Sequence, residues 1–179
     1  MFRLFRRSSN RALIDRLHGE IMAGARQPAF FLEYGVADTV EGRFEILCLV
    51  ATTALNRIEA SPPPGPEIAQ DILDAIFAHF DVALREIGVG DLTVPKKLKK
   101  MAQGWLGRSS VYRDALESHD AAKMARAIAR NVFGDEKRDG DVATRRLANY
   151  AFRQTEAFAG LRVEDLGRIP LKFVDPAQV

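Results

Sequence analysis

The sequence predicts an all-α protein with a single domain over residues 1–179. Apolar residues recur every three or four positions in successive segments, as expected for helices that each bury one face. No segment alternates apolar and polar residues as a half-buried strand does. The chain has 179 residues, of which 47% are hydrophobic, so it is long enough to bury a core. We expect an irregular bundle of about seven helices rather than an up-and-down bundle.

Capping residues, glycines and prolines set the ends of the predicted helices. Asp38, Asp120 and Asp141 are each expected to cap the helix that follows them. The proline-rich residues 61–66 cannot be helical and are expected to form a loop within the domain. Residues 163–179 show no sustained period and are expected to form an irregular tail. The predicted segments are, in chain order, residues 10–24, a short aromatic segment at 28–35, and residues 39–60, 67–87, 94–105, 110–117, 121–133 and 142–159.

The helix predicted from Thr39 to Ala60 is expected to lie at the centre of the core. Between Phe44 and Leu55 it is apolar almost all round, which is typical of a helix that its neighbours bury. Cys48, the single cysteine of the chain, lies in this helix and is expected to be a small buried hydrophobe. The narrow polar stripe that remains consists of Glu45, Thr52 and Asn56.

The segment from Phe80 to Arg108 forms the most unusual part of the sequence. Gly88 and Gly90 end one helix, and Pro95 fits the first turn of the next. The apolar residues of this second helix, among them the single tryptophan, are expected to face the core. Four lysines fall on the opposite, outward face of that helix. We predict a partner-binding surface here, although a solvated helix face is the alternative. The predicted residues are Lys96, Lys97, Lys99, Lys100 and Trp105.

Charge is segregated around this segment although the formal net charge is only +2. Residues 67–91 contain six acids and one base, Arg85, whereas residues 96–108 contain five bases and no acid. Such a split can orient a partner, or it can reflect solvated faces of opposite sign. Lysines without interleaved aromatic residues discriminate poorly between nucleobases, so we expect no sequence-specific nucleic-acid binding.

The sequence shows no arrangement that predicts catalysis or ligand binding. His18, His79 and His119 fall on different predicted helices, with no cysteine or carboxylate at metal-ligand spacing. A phosphate-binding loop would follow a strand, and none is predicted. We therefore expect no enzymatic activity, no metal and no cofactor.

The location of the protein is expected to be cytoplasmic, or peripheral at the inner face of the cytoplasmic membrane. The longest uncharged run, Ile46–Asn56, is too short to span a bilayer. Residues 1–9 form a basic, aromatic end that we expect either to be flexible or to begin the first helix, and that can touch anionic lipid or RNA transiently. A membrane-surface or ribosome-associated binding module is therefore the rival to any more specific function.

Two stretches resemble the ubiquinol–cytochrome c chaperone family. They are YGVADTVEGRFEILCLV, from Tyr34, and DVALREIGVGDLTVPKKLKKMAQGWLGRSSVY, from Asp81, and the resemblance extends over about Pro28 to Phe158. It implies a helical, non-catalytic assembly factor for the cytochrome bc complex. The second set of residues that we select for partner binding lies in the first stretch: Asp38, Glu41, Gly42 and Arg43. Local capping and decoration of the first helical turn are the alternative roles of this set.

The partners are implied by the resemblance alone. They are newly made cytochrome b or another subunit of the cytochrome bc complex, together with a ribosome or a small partner chaperone. The proposed action is to shield an apolar client transiently.

Overall fold

The computed structural model describes the backbone of residues 2–179 and the side chains of residues 10–179. All regular structure in this part of the chain is helical, which confirms the predicted all-α single domain. The side chains of the basic end predicted at residues 1–9 lie outside the described residues. The helices are α1 (Phe2–Ala25), α2 (Ala29–Leu32), α3 (Val40–Glu59), α4 (Gly65–Glu86), α5 (Val94–Glu117), α6 (Ala121–Asn131) and α7 (Val142–Phe158), with short 3-10 turns at Glu136–Gly140, Val163–Asp165 and Pro176–Gln178.

Helix α3 lies at the centre of the fold, as predicted. It packs against α1, α4, α5 and α7, and every residue from Glu45 to Leu55 is buried. Its two buried hydroxyls bond within the helix: Thr52 donates to the Cys48 carbonyl at 2.6 Å and Thr53 to the Val50 carbonyl at 2.7 Å. Because hydroxyls satisfied in this way do not need water, α3 can be surrounded by apolar neighbours on all sides.

The predicted caps are only partly confirmed. Asp120 caps α6, since its carboxylate accepts the Lys123 N–H at 2.8 Å. Asp38 does not cap α3; the neighbouring Thr39 does, accepting the Gly42 N–H at 3.1 Å. Asp141 stands at the start of α7, but its side chain makes no capping hydrogen bond and instead pairs with a nearby arginine. A charged partner nearby thus competes successfully with a helix end for a carboxylate.

Helix α5 is continuous through its glycines, so the predicted break after Arg108 is wrong. Ser109 does not cap a new helix, because its hydroxyl donates back to the Leu106 carbonyl at 3.3 Å. Helix α5 packs on α3, α4, α6 and α7. A single long helix therefore connects the two sides of the bundle.

A tight turn joins α4 to α5. Gly88 has φ +85°, a left-handed conformation that glycine adopts without a side-chain clash. The N–H of Val89 bonds to the Leu84 carbonyl at 3.0 Å, which closes the end of α4. This closure leaves Ile87 and Leu92, on either side of the turn, exposed to solvent.

The residues that follow α7 form an irregular segment that packs against α1, α2 and α7. Its backbone is held at several points: Glu20 accepts the Leu171 N–H at 2.9 Å, and Tyr34 donates to the Pro176 carbonyl at 2.6 Å. Gln154 accepts the Val174 N–H at 2.7 Å. Hydrogen bonds from α1, from α7 and from the turn after α2 therefore replace the secondary structure that the segment lacks.

Candidate partner-binding site

The four lysines of α5 are all exposed, as the helical pattern predicted. Val94 and Trp105 are buried on the opposite face of the helix. None of the four ammonium groups lies within ion-pair distance of a carboxylate among the side chains that the structure describes. The positive charge is thus available to a partner. Trp105 is only 3% exposed, so it holds α5 in place rather than offering a surface.

Two of the residues selected in the first stretch form an exposed ion pair at the start of α3. Arg43 donates to both carboxylate oxygens of Asp38, at 2.6 and 3.2 Å. These hydrogen bonds hold the pKa of Asp38 below its usual value. The Arg43 guanidinium also lies 5.4 Å from the centre of the Phe31 ring, which fixes α2 beside α3.

Gly42 and Glu41 are placed differently from this pair. Gly42 is buried, and a Cβ atom there would lie 2.0 Å from the Ala37 carbonyl oxygen. Only glycine fits such a close approach of two backbone segments. Glu41 is exposed in the first turn of α3, where a negative charge suits the helix dipole.

An apolar groove brings the two selected stretches together. It has a volume of about 230 Å³ and lies between α1, α3, α4 and α5. Val40, Arg43 and Phe44 line it from α3, and Met101 lines it from the lysine-bearing helix. The sequence did not predict this groove, because it depends on how four helices pack. Its remaining lining residues are Met22, Ala25, Arg26, Leu47, His79, Phe80, Ala83, Leu84 and Ile87.

A buried ion pair holds α3 and α5 together beside this groove. Glu45 is 7% exposed, and Arg108 donates to its two carboxylate oxygens at 2.5 Å each. Arg108 also donates to the Gly104 carbonyl at 3.1 Å and lies 5.5 Å from the centre of the Phe44 ring. Burial raises the pKa of Glu45, and the hydrogen bonds from Arg108 oppose that rise.

Sequence reasoning placed Glu45 on a polar stripe and did not select Arg108 as its partner. A signal was present, because a lone acid inside an apolar helical run needs a partner when its neighbours bury that run. That signal could not identify the basic residue that pairs with Glu45, since Arg108 lies 63 residues away.

Two of the three histidines lie close together, a proximity that the sequence did not show. The ring centres of His18 on α1 and His79 on α4 lie 5.5 Å apart. Arg26 approaches His79, with 3.4 Å between its Nη2 and the ring Nε2. Burial and the neighbouring His79 lower the pKa of His18. His119 lies elsewhere, at the exposed turn after α5.

The histidine pair does not gather a metal-ligand set. Among the side chains from residue 10 onward, no three histidine, cysteine, aspartate or glutamate residues cluster in a way that could hold a metal ion. Cys48 is buried, and burial raises the pKa of its thiol well above the usual value, which disfavours the reactive thiolate.

A larger cavity, of about 540 Å³, lies beside the second half of α5. Its charged lining residues are mostly neutralised: Arg113 pairs with Glu59 at 2.6 Å, and Asp114 with Lys123 at 2.5 Å. None of the residues selected from the sequence lines it except the buried Trp105. The smaller groove is therefore the better candidate for a partner site.

No helix within residues 2–179 has the length and apolar character needed to cross a membrane.

Comparison with known proteins gave two matches of different kinds. Residues 32–173 match the family model described as ubiquinol-cytochrome C chaperone. The matched range includes both stretches that line the groove and extends beyond the range of the resemblance, into the irregular segment after α7. The chain is also similar to the crystal structure of the Cbp3 homolog from Brucella abortus, with 34% sequence identity, a TM-score of 0.84, and coverage of 99% of this chain and 98% of that chain. No curated protein sequence matched the chain.

Proposed function

Because the chain belongs to the ubiquinol–cytochrome c chaperone family, we propose that it is an assembly chaperone that transiently binds newly made cytochrome b. In this proposal it shields an apolar part of that subunit until other subunits of the cytochrome bc complex replace it. The action is non-catalytic and uses no cofactor. It takes place in the cytoplasm, at the inner face of the cytoplasmic membrane.

The apolar groove is the observation that carries the proposal. It is lined by residues of both stretches that carry the family resemblance, and its walls are mainly aliphatic and aromatic. A groove of this kind binds an apolar segment through burial of surface, without any reacting group. Arg26, a basic residue at its edge, can meet acidic or phosphate groups that flank such a segment.

The selected residues divide into contact and support roles. Lys97 and Lys100 precede Met101 and Gly104 by one helical turn, so they lie toward α3 and the groove. Lys96 and Lys99 lie further round the exposed face. We assign direct contact to these lysines, Glu41 and the Asp38–Arg43 pair, and support to Gly42 and Trp105, which are buried.

The groove is tested by placing a charge in it without disturbing the core. Val40 is the first residue of α3, 64% exposed, and glutamate is favourable at a helix start. When Val40→Glu is expressed in a strain whose own gene is deleted, the membranes should contain less assembled cytochrome bc complex than with the unmodified protein. The substitution should also reduce co-purification of cytochrome b severalfold, because a carboxylate would have to be desolvated on binding.

Val142→Glu is the matched control. Val142 is the first residue of α7 and is 65% exposed, but it does not line the groove. This variant should assemble the complex normally. Equal behaviour of the two variants, or normal client capture by Val40→Glu, would exclude the groove as the client site.

The lysine face is tested by comparing its two edges. Glutamate at Lys97 and Lys100 should weaken co-purification of cytochrome b more than glutamate at Lys96 and Lys99, since only the first pair lies toward the groove. If neither pair changes client capture or complex assembly, the proposed contact of the lysines with the client is wrong. Capture of ribosomes or of a small partner chaperone can be scored in the same purification.

A further inference from the structure

We propose that the turn between α4 and α5, with the lysines that follow it, is a docking surface for an anionic lipid bilayer. Ile87 and Leu92 enter the apolar boundary of the bilayer, and the α5 lysines contact lipid phosphates. This inference rests on the proposed location at the membrane and names the surface responsible. It does not depend on the identity of the client.

The apolar part of this surface is unusually exposed. Leu92 is 90% exposed, the largest value among the large hydrophobic side chains from residue 10 onward, and Ile87 is 66% exposed. The two residues flank a turn of only a few residues, whose Val89 is folded partly inward. Two large aliphatic side chains at the tip of a turn are unfavourable in water but suited to insertion beneath lipid headgroups.

The charge beside the turn has the sign that an anionic bilayer requires. Residues 85–100 contain five basic and two acidic residues. One of those acids, Asp91, is already paired with Arg85. Lys96, Lys97, Lys99 and Lys100 are exposed and make no ion pair with the described side chains. Each can gain attraction from an anionic surface.

The start of α5 adds to this attraction. Its first turn contains two lysines and no acid, and Thr93 makes no side-chain capping hydrogen bond. The positive end of the helix dipole therefore faces the same region as the lysines, and the first turn of α5 contains no carboxylate. Apolar insertion and phosphate contact thus coincide in one short segment, which is the combination that stable peripheral binding needs.

The position of the turn relates the bilayer to the client groove. Ile87 lines that groove as well as the turn, and Met101 lines it from the lysine-bearing helix. Docking through the turn places the groove next to the lipid surface. An apolar client segment could then pass between groove and bilayer over a short distance.

The test uses the full chain and vesicles made of equal parts phosphatidylglycerol and phosphatidylcholine, with pure phosphatidylcholine vesicles as the neutral comparison. The protein should co-sediment with the anionic vesicles and lose most of that binding at high salt. Ile87→Ser with Leu92→Ser should lower the apparent affinity by about tenfold or more. Glutamate at all four α5 lysines should abolish binding.

Matched control variants test whether vesicle binding depends on this surface or on any exposed aliphatic or basic side chain. Val142→Ser removes another exposed aliphatic side chain, and Arg126→Glu with Arg130→Glu reverses an exposed basic pair on α6. Both should bind vesicles like the unmodified protein. In addition, the fluorescence of Leu92→Trp should shift to shorter wavelength on the anionic vesicles, as a tryptophan entering an apolar environment does.

Three outcomes would overturn the proposal. One is failure of the unmodified protein to bind anionic vesicles. The second is unchanged binding by the Ile87 and Leu92 variant, which would show that the turn does not insert. The third is unchanged vesicle binding together with lost ribosome capture in the lysine variant, which would assign the lysines to RNA. Because these assays contain no client, they can fail while the proposed capture of cytochrome b holds, and the reverse is also true.

Discussion

The two halves of α5 carry charge in opposite settings. In the first half, four lysines are exposed and make no ion pair with the side chains that the structure describes. In the second half, three of the four charged residues each pair with a residue of another helix. These pairs are Arg108 with Glu45 on α3, Arg113 with Glu59 on α3, and Asp114 with Lys123 on α6. Along one helix, paired charges hold the fold together, while unpaired charges remain available for a partner or a membrane.

The largest effect is expected at the buried pair. Arg108→Ala removes the partner of Glu45, which is 7% exposed, and leaves an uncompensated carboxyl group between α3 and α5. We expect the free energy of unfolding to fall by about 3 kcal/mol. Urea denaturation of the purified protein measures this change.

Replacing both partners provides the control. In a Glu45→Leu, Arg108→Met variant no charge is left buried, so most of the lost stability should return. A loss below about 0.5 kcal/mol for Arg108→Ala would contradict a structural role for the pair, because such a value is typical of exposed charges.

A smaller effect, which depends on pH, is expected at His18. Burial, followed by the nearby His79, holds the pKa of His18 below its ordinary value of 6.5. The unfolded chain therefore takes up the proton more readily than the folded protein. Stability contributed by neutral His18 is present above pH 6.5 and is lost as pH falls through the lower, folded-state pKa.

The pH dependence can be measured by melting the protein at a series of pH values. His18→Asn should be less sensitive to acid than the unmodified protein, because the titrating group is gone. His119→Asn serves as the control for the substitution itself, at an exposed left-handed position that asparagine tolerates. An unchanged acid sensitivity in His18→Asn would place the responsible groups elsewhere.

The smallest effect on stability is expected on the lysine face. Glutamate at Lys96, Lys97, Lys99 and Lys100 should change the free energy of unfolding by less than about 1 kcal/mol in total, since exposed charges contribute little. Circular dichroism and thermal melting would show this. A larger loss would mean that the lysines stabilise the fold, and the contrast between the two halves of α5 would disappear.

The helical architecture could be predicted because burial leaves a local pattern in each helix. Helix α3 is the clearest case: its apolar run from Phe44 to Leu55 predicted a core helix, and the structure buries nearly all of it. The lysine face of α5 followed in the same way from the spacing of Val94 and Trp105. Both predictions needed only the geometry of a single helix.

Features that depend on two segments could not be predicted in this way. Neither the pairing of Glu45 with Arg108 nor the approach of His18 to His79 follows from spacing within one helix. The groove requires four helices. The break predicted in α5 was wrong because the helix runs through its glycines without interruption. A Cβ at Gly104 would lie 2.8 Å from an Arg108 guanidinium nitrogen and would crowd the pair with Glu45.

The irregular segment after α7 has a consequence for how the chain matures during synthesis. Leu171 bonds to Glu20, a separation of 151 residues, and Arg16 donates to the Leu166 carbonyl across 150 residues. These contacts can form only after most of the chain has left the ribosome. Long-range closure of this kind slows folding, and until it is complete one side of α1 stays uncovered and prone to aggregation. This member of a chaperone family therefore passes through a vulnerable stage of its own.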